Sequence, residues 1–157
     1  MRRIVGIAVF VVICELAGVA GSLFTRPAIP GWYAGLAKPS FNPPNWIFGP
    51  VWIALYALMG IAAWLVYVRG TERPEVRQAL FAFAAQLGLN VLWSVMFFGA
   101  RRILGAFIII VALLVVILGL IPRFHRISRA AGYLLVPYFL WVGFAAVLNA
   151  AIYVLNR

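Results

Sequence analysis

The sequence predicts an all-α membrane protein, a single bundle of five transmembrane helices with a long first loop acting as a lid. Three observations predict it. Of 157 residues, 66% are hydrophobic and only 10% charged, and the mean hydropathy is +1.07, far more apolar than one soluble core requires. Apolar runs long enough to cross about 30 Å of hydrocarbon, at about 20 residues each, fall near 4–24, 46–68, 78–99, 103–122 and 130–154. The basic residues gather between these runs, which is where loops meet anionic head groups, so the net charge of +10 reports topology rather than a nucleic-acid surface.

The first run follows Arg2 and Arg3 and passes through AGVAG. Those small residues suit signal cleavage, but the run continues into SLF, which favours a retained span. Eight basic residues (Arg2, Arg3, Arg69, Arg73, Arg77, Arg123, Arg126 and Arg129) lie at one set of span ends and five (Arg26, Lys38, Arg101, Arg102 and Arg157) at the other. That bias predicts a cytoplasmic N-terminus in a bacterial inner membrane. Five spans with no internal repeat argue against an inverted-repeat transporter. Residues 25–45 form the long connection. There Pro27, Pro30, Gly31 and Pro39 are expected to prevent a continuous helix, and Asn42-Pro43 reads as the cap and first position of the second helix.

Three later runs carry stripes at helical spacing. Trp52, Tyr56, Met59 and Ala63 align on the second helix; Gln86, Asn90, Trp93 and Phe97 on the third; Tyr138, Trp141, Ala145 and Asn149 on the fifth, just after a helix-disturbing Pro137. Lipid cannot satisfy an amide, so these faces should turn inward, either to bond neighbouring helices or to line a pocket. Trp46 and Trp64, near the ends of the second span, suit the interfacial belt. Ala84 with Gly88, and Ala17 with Gly21, are small pairs four apart that permit close helix approach in a homodimer, helix three being favoured.

Ordinary catalytic groups are absent. The sequence has no aspartate, neither a phosphate loop nor a nucleophile–base pair, and one cysteine, Cys14. No metal site and no required cofactor are expected. The one histidine, His125, is expected in a short solvated loop among Arg123, Arg126 and Arg129, unsuited to axial ligation of a haem. Glu15 stands apart, near the middle of the first span, where a charged carboxylate costs several kcal/mol and is therefore protonated, partnered or functional. It supports an alternative reading as the proton site of an exporter of hydrophobic cations.

GSLFTRPAIPGWYAGLAKPSFNPPNWIFGPVWIALYALMG, QLGLNVLWSVMFFGARR and VPYFLWVGFAAVLNAAIYVL occur in order along nearly the whole chain. Together they resemble the tryptophan-rich sensory protein and mitochondrial translocator protein (TspO/MBR) family, also called the peripheral-type benzodiazepine receptor family. The resemblance implies a homodimer and a pocket beneath the first loop that binds porphyrins, isoquinoline-type drugs and, in some members, cholesterol. It implies ligand contacts at Tyr33, Pro43, Trp52, Asn90, Trp93, Trp141 and Ala145. It also implies slow light-dependent porphyrin degradation using Trp52 and Trp141. Ser40 and Phe41 depart from relatives that place a tryptophan there, and a sterol motif can be traced through Leu148, Tyr153 and Arg157. The expected function is tetrapyrrole sensing, transport or photodegradation. Flat macrocycles suit such a pocket because a bilayer-dissolved ligand gains little from burial alone, so stacking on rings and a few hydrogen bonds, expected from Asn90 and Gln86, must select it. Arg26 and Lys38 would meet propionates or lipid head groups.

Overall fold

A computed structural model describes residues 2–157, with side chains from residue 3 onward. Met1 and the Arg2 side chain, the latter counted in the charge bias, lie outside the described residues. The elements are α1 (Arg2–Ala28), continued by a π turn over Ile29–Tyr33; α2 (Asn45–Tyr67); α3 (Pro74–Ser94), continued by a π turn over Val95–Gly99; α4 (Ile103–Ile127); and the short α5 (Arg129–Leu134) followed by α6 (Val136–Leu155). No strand occurs among them. Five helical stretches are long and apolar enough to cross a membrane: Arg3–Tyr33, Asn45–Tyr67, Pro74–Gly99, Ile103–Ile127 and Arg129–Leu155.

Three local expectations are corrected. Helix α1 runs through Pro27 and on through Pro30 to Tyr33, so the irregular segment shrinks to 34–44. Each proline removes one donor, but both lie in the last turns of the helical stretch, among exposed residues such as Leu23 and Arg26, and the widened turn closes with the Ala34 N–H donating to Ile29 O at 3.1 Å. Helix α2 starts at Asn45 behind Pro44, not at Pro43. A residue that precedes a proline is driven from helical geometry, and Pro44 itself is extended, with ψ 139°. Asn42 therefore caps nothing: its Oδ1 accepts from Tyr33 Oη at 2.9 Å, and its Nδ2 donates to Pro43 O at 3.0 Å. Finally, His125 is part of α4, not a loop, because α4 continues past Pro122 to Ile127; the imidazole meets Tyr133 edge-on at 5.1 Å.

The break between α5 and α6 falls at Leu135, two residues before Pro137, where the proline's missing N–H is no loss to a starting helix. Helices α1 and α2 run antiparallel in close contact. A Cβ at Gly60 would stand 2.5 Å from Val11 Cα and one at Gly18 2.5 Å from the Tyr56 ring, while Gly6 faces the Trp64 indole. Trp64 is thereby packed between helices rather than held at the interface alone; Trp46 is 74% exposed. The main core gathers Met59, Ala63 and Val66 of α2 with Phe83 of α3, Leu113, Ile117 and Phe124 of α4, and Tyr138 of α6. A second cluster joins Tyr33, Phe97, Ala106, Leu148 and Ile152 around the π turns.

Candidate ligand cavity

Past Gly18 the close seam between α1 and α2 opens, and the wedge between them is a cavity of about 460 Å³. Its walls are one side of α1 from Glu15 to Arg26, the first π turn, the N-terminal half of α2, Asn90 to Phe98 of α3 and its π turn, and Ala145 to Ile152 of α6. Helix α4 contributes nothing to the wall. The rim on α1 and α2 is exposed, with Val19 at 55% and Ile53 at 62%, so the opening faces the surface that lipid would cover.

Of the residues singled out in the sequence, Glu15, Tyr33, Trp52, Tyr56, Asn90, Trp93, Phe97, Ala145 and Asn149 line this cavity. Pro43, Gln86, Tyr138 and Trp141 do not. Gln86 and Tyr138 are fully buried deeper in the bundle. Trp141 lies behind Phe48, ring centroids 5.8 Å apart, and its indole Nε1 is buried with no hydrogen-bond partner. The lid is also displaced: Ile29 and Tyr33 of the π turn close the cavity's end, and none of residues 34–44 lines it. Lys38 is absent from the walls too. Its ammonium donates to Ala34 O at 3.2 Å and Leu36 O at 3.0 Å, and lies 4.8 Å from the Tyr33 ring centre. Arg26 is the cation at the cavity.

The amides expected to select a ligand are mostly committed to the protein. Tyr56 Oη donates to Asn90 Oδ1 at 2.8 Å, Asn90 Nδ2 donates to Tyr138 Oη at 2.9 Å, and Tyr138 Oη donates to Gln86 Oε1 at 2.7 Å. This chain ties α2, α3 and α6 together through groups that would each cost about 1–3 kcal/mol if left unpaired. Its one open end is Gln86 Nε2, buried without a partner. Near the π turn of α3, Trp93 Nε1 donates to Asn149 Oδ1 at 3.1 Å and Asn149 Nδ2 to Ile103 O at 3.0 Å. Ser22 and Thr25 return their hydroxyls to Val19 O and Gly21 O of α1. The polar side chains facing the cavity without a hydrogen bond are thus Glu15, Arg26, Asn45, Ser94 and the indole N–H groups of Trp46 and Trp52.

What remains of the wall is aromatic. Trp52 is tilted by 30° to Tyr56 at 5.5 Å, and Trp93 by 31° to Phe97 at 5.6 Å, so α2 and α3 each bring a pair of rings to the wall. Gly18, Ser22 and Ile29 are wall residues of α1 that the sequence does not mark. With Glu15 and Arg26 they are spaced three or four apart, a stripe that the unbroken apolarity around it hides. Ser94 stands one turn beyond Asn90 and was legible on the same grounds.

An apolar, ring-lined cavity set among helices long and apolar enough to cross a membrane makes this a receptor-like membrane protein. The model of the TspO/MBR family matches residues 10–155, and the chain belongs to that family. It is 45% identical over 140 residues to a tryptophan-rich protein TspO of Archaeoglobus fulgidus, covering 88% of this chain and 89% of that one. Against the tryptophan-rich protein TspO of Chlorobaculum tepidum it is 41% identical over 155 residues, 99% of this chain and 98% of that one. The human translocator protein is 35% identical over 142 residues, covering 88% and 83%.

Proposed function

We propose that the cavity binds flat tetrapyrroles such as protoporphyrin IX or haem from within the bilayer, and that the protein serves tetrapyrrole sensing, transport or slow light-dependent degradation. One observation carries the reading: indoles from two helices, Trp52 of α2 and Trp93 of α3, line one cavity with Arg26. Its 460 Å³ falls in the range of small-molecule sites. Stacking on aromatic faces contributes roughly 0.5–1.5 kcal/mol per pair, and the guanidinium supplies a partner for a propionate at the cavity edge. With the amides committed elsewhere, recognition rests on rings and Arg26 rather than on Asn90. His125 is remote from the cavity wall, so haem would bind without a histidine ligand. A cytoplasmic N-terminus, a place in the inner membrane, a homodimer, and isoquinoline-type or sterol ligands belong to the same proposal. They rest on the charge bias, the small-residue pairs and the family.

The test is quenching of tryptophan fluorescence by protoporphyrin IX and by its dimethyl ester in detergent. Wild type should quench saturably with both, Trp52→Phe and Trp93→Phe should weaken both, and Arg26→Gln should weaken the free acid alone. Linear, non-saturable quenching of folded wild type would remove the proposal.

A further inference from the structure

We propose that the Glu15 end of the cavity, whose wall this carboxyl shares with the rings of Trp52 and Tyr56, is a site for a lipophilic aromatic cation. The inference uses the cavity but not the tetrapyrrole reading.

The chain has three acidic residues, and Glu72 and Glu75 both flank the start of α3, at the edge of the bundle. Glu15 alone lies at membrane depth, near the middle of the apolar stretch Arg3–Tyr33. Among the described residues the one ion pair is Arg73–Glu75, and no hydrogen bond to Glu15 is formed. The Tyr56 hydroxyl is not free to serve the carboxyl, since it donates to Asn90. Arg26 of the same wall is eleven residues further along α1, about 16 Å at 1.5 Å per residue, too far to neutralise the carboxylate. A charged carboxylate at this depth costs several kcal/mol when nothing offsets it.

The surroundings have the form of a cation site. Gly18, one turn beyond Glu15, leaves room for the Tyr56 ring to lie against α1, where an added Cβ would collide with it at 2.5 Å. Trp52 continues the same face, its ring centre 5.5 Å from that of Tyr56. A carboxylate that shares a cavity wall with two electron-rich rings offers an organic cation both an ion pair and the ring quadrupoles. A neutral arene of the same shape gains neither, and leaving the bilayer for an apolar pocket brings it little. The site should therefore choose by charge.

N-methylacridinium and its neutral isostere 9-methylanthracene provide the test, each titrated into the full chain in nonionic detergent with tryptophan quenching as readout. Wild type should bind the cation saturably and at least tenfold more tightly than the arene. Glu15→Gln should cut that preference several-fold, leaving only the share due to the rings, while the arene's affinity stays unchanged, and an unaltered melting temperature shows that the variant is folded. Equal cation affinity in wild type and Glu15→Gln, or no saturable cation binding by folded wild type, would overturn the inference. Protoporphyrin quenching in the same samples reports on the tetrapyrrole reading separately.

Discussion

Asn156, at the end of α6, and Ala37, in the α1–α2 connection, exchange two hydrogen bonds: the Ala37 N–H donates to Asn156 Oδ1 at 3.0 Å and Asn156 Nδ2 donates to Ala37 O at 2.9 Å. A side-chain amide here pairs as a strand neighbour would, and it ties the connection to the last helix. The same Nδ2 also reaches Ile152 O at 2.8 Å, which fixes the amide's orientation. Asn156→Ala removes both bonds at an exposed site, where water replaces much of what is lost, so the global cost is about 1 kcal/mol. The local effect is larger. Amide exchange at residues 35–38 should rise several-fold in the variant while exchange in α2 and α4 stays unchanged.

Tyr138 is the hinge of the buried polar chain, accepting from Asn90 and donating to Gln86. Tyr138→Phe would keep the ring, which is fully buried, and would strand both the Asn90 amide donor and the Gln86 carbonyl acceptor. The expected loss is about 2–6 kcal/mol, from roughly 1–3 kcal/mol for each of the two buried groups left unpaired. Thermal unfolding in detergent should show a clear drop in midpoint. Tyr56→Phe, which strands one acceptor beside a cavity able to hold water, should cost less.

These two sites also show what the sequence can and cannot convey. The five spans were legible from composition, and the stripes through Tyr56, Asn90 and Tyr138 from spacing, because burial in lipid forces amides inward. Which inward residues would bond one another and which would face a void was not legible. Asn90 and Gln86 lie one turn apart on one helix face, yet Asn90 lines the cavity and Gln86 does not. The difference depends on where α1 and α2 part company, and that is decided by Gly6, Gly18 and Gly60 meeting Trp64, Tyr56 and Val11, pairings between helices that no single-helix pattern encodes. Proline misled for a related reason. Pro27 and Pro30 suggest breaks, but near a helix end two missing donors are tolerated, so the first part of the 25–45 segment, to Tyr33, is helix and π turn and only 34–44 is irregular. Pro43 before Pro44 instead moved the next helix start back by two residues.

Gly60 offers a test of that seam. Its missing side chain lets α1 backbone approach so closely that an added Cβ would lie 2.5 Å from Val11 Cα, 2.7 Å from Val11 N and 2.8 Å from Phe10 O. Backbone cannot rotate aside as a side chain can, so Gly60→Ala must push the helices apart. Overpacking of this kind costs about 1–3 kcal/mol. Gly88→Ala, on an open face of α3 with nothing within 4 Å of its added Cβ, should be neutral or slightly stabilising in the monomer, since alanine is the better helix former by about 1 kcal/mol. Melting curves of the two variants should move in opposite directions or differ by at least the cost of the first.

The two tryptophans proposed for photochemistry occupy unequal positions, and this makes their roles separable. Trp52 is part of the cavity wall, whereas Trp141 is screened from it by Phe48, which touches both the cavity and the Trp141 ring. A reactive oxygen species or an excited macrocycle in the cavity meets the Trp52 indole directly and reaches Trp141 only after Phe48 moves. Under illumination with bound protoporphyrin, Trp52→Phe should slow pigment bleaching several-fold, Trp141→Phe should leave most of it, and Phe48→Ala should increase oxidation of Trp141 as read by mass spectrometry of its peptide. Equal loss of bleaching in both single tryptophan variants would show that exposure to the cavity does not set the role. Affinity must be measured alongside, because Trp52→Phe also removes a stacking surface; rates are therefore compared at saturating pigment, where a weaker complex no longer conceals an intact reaction.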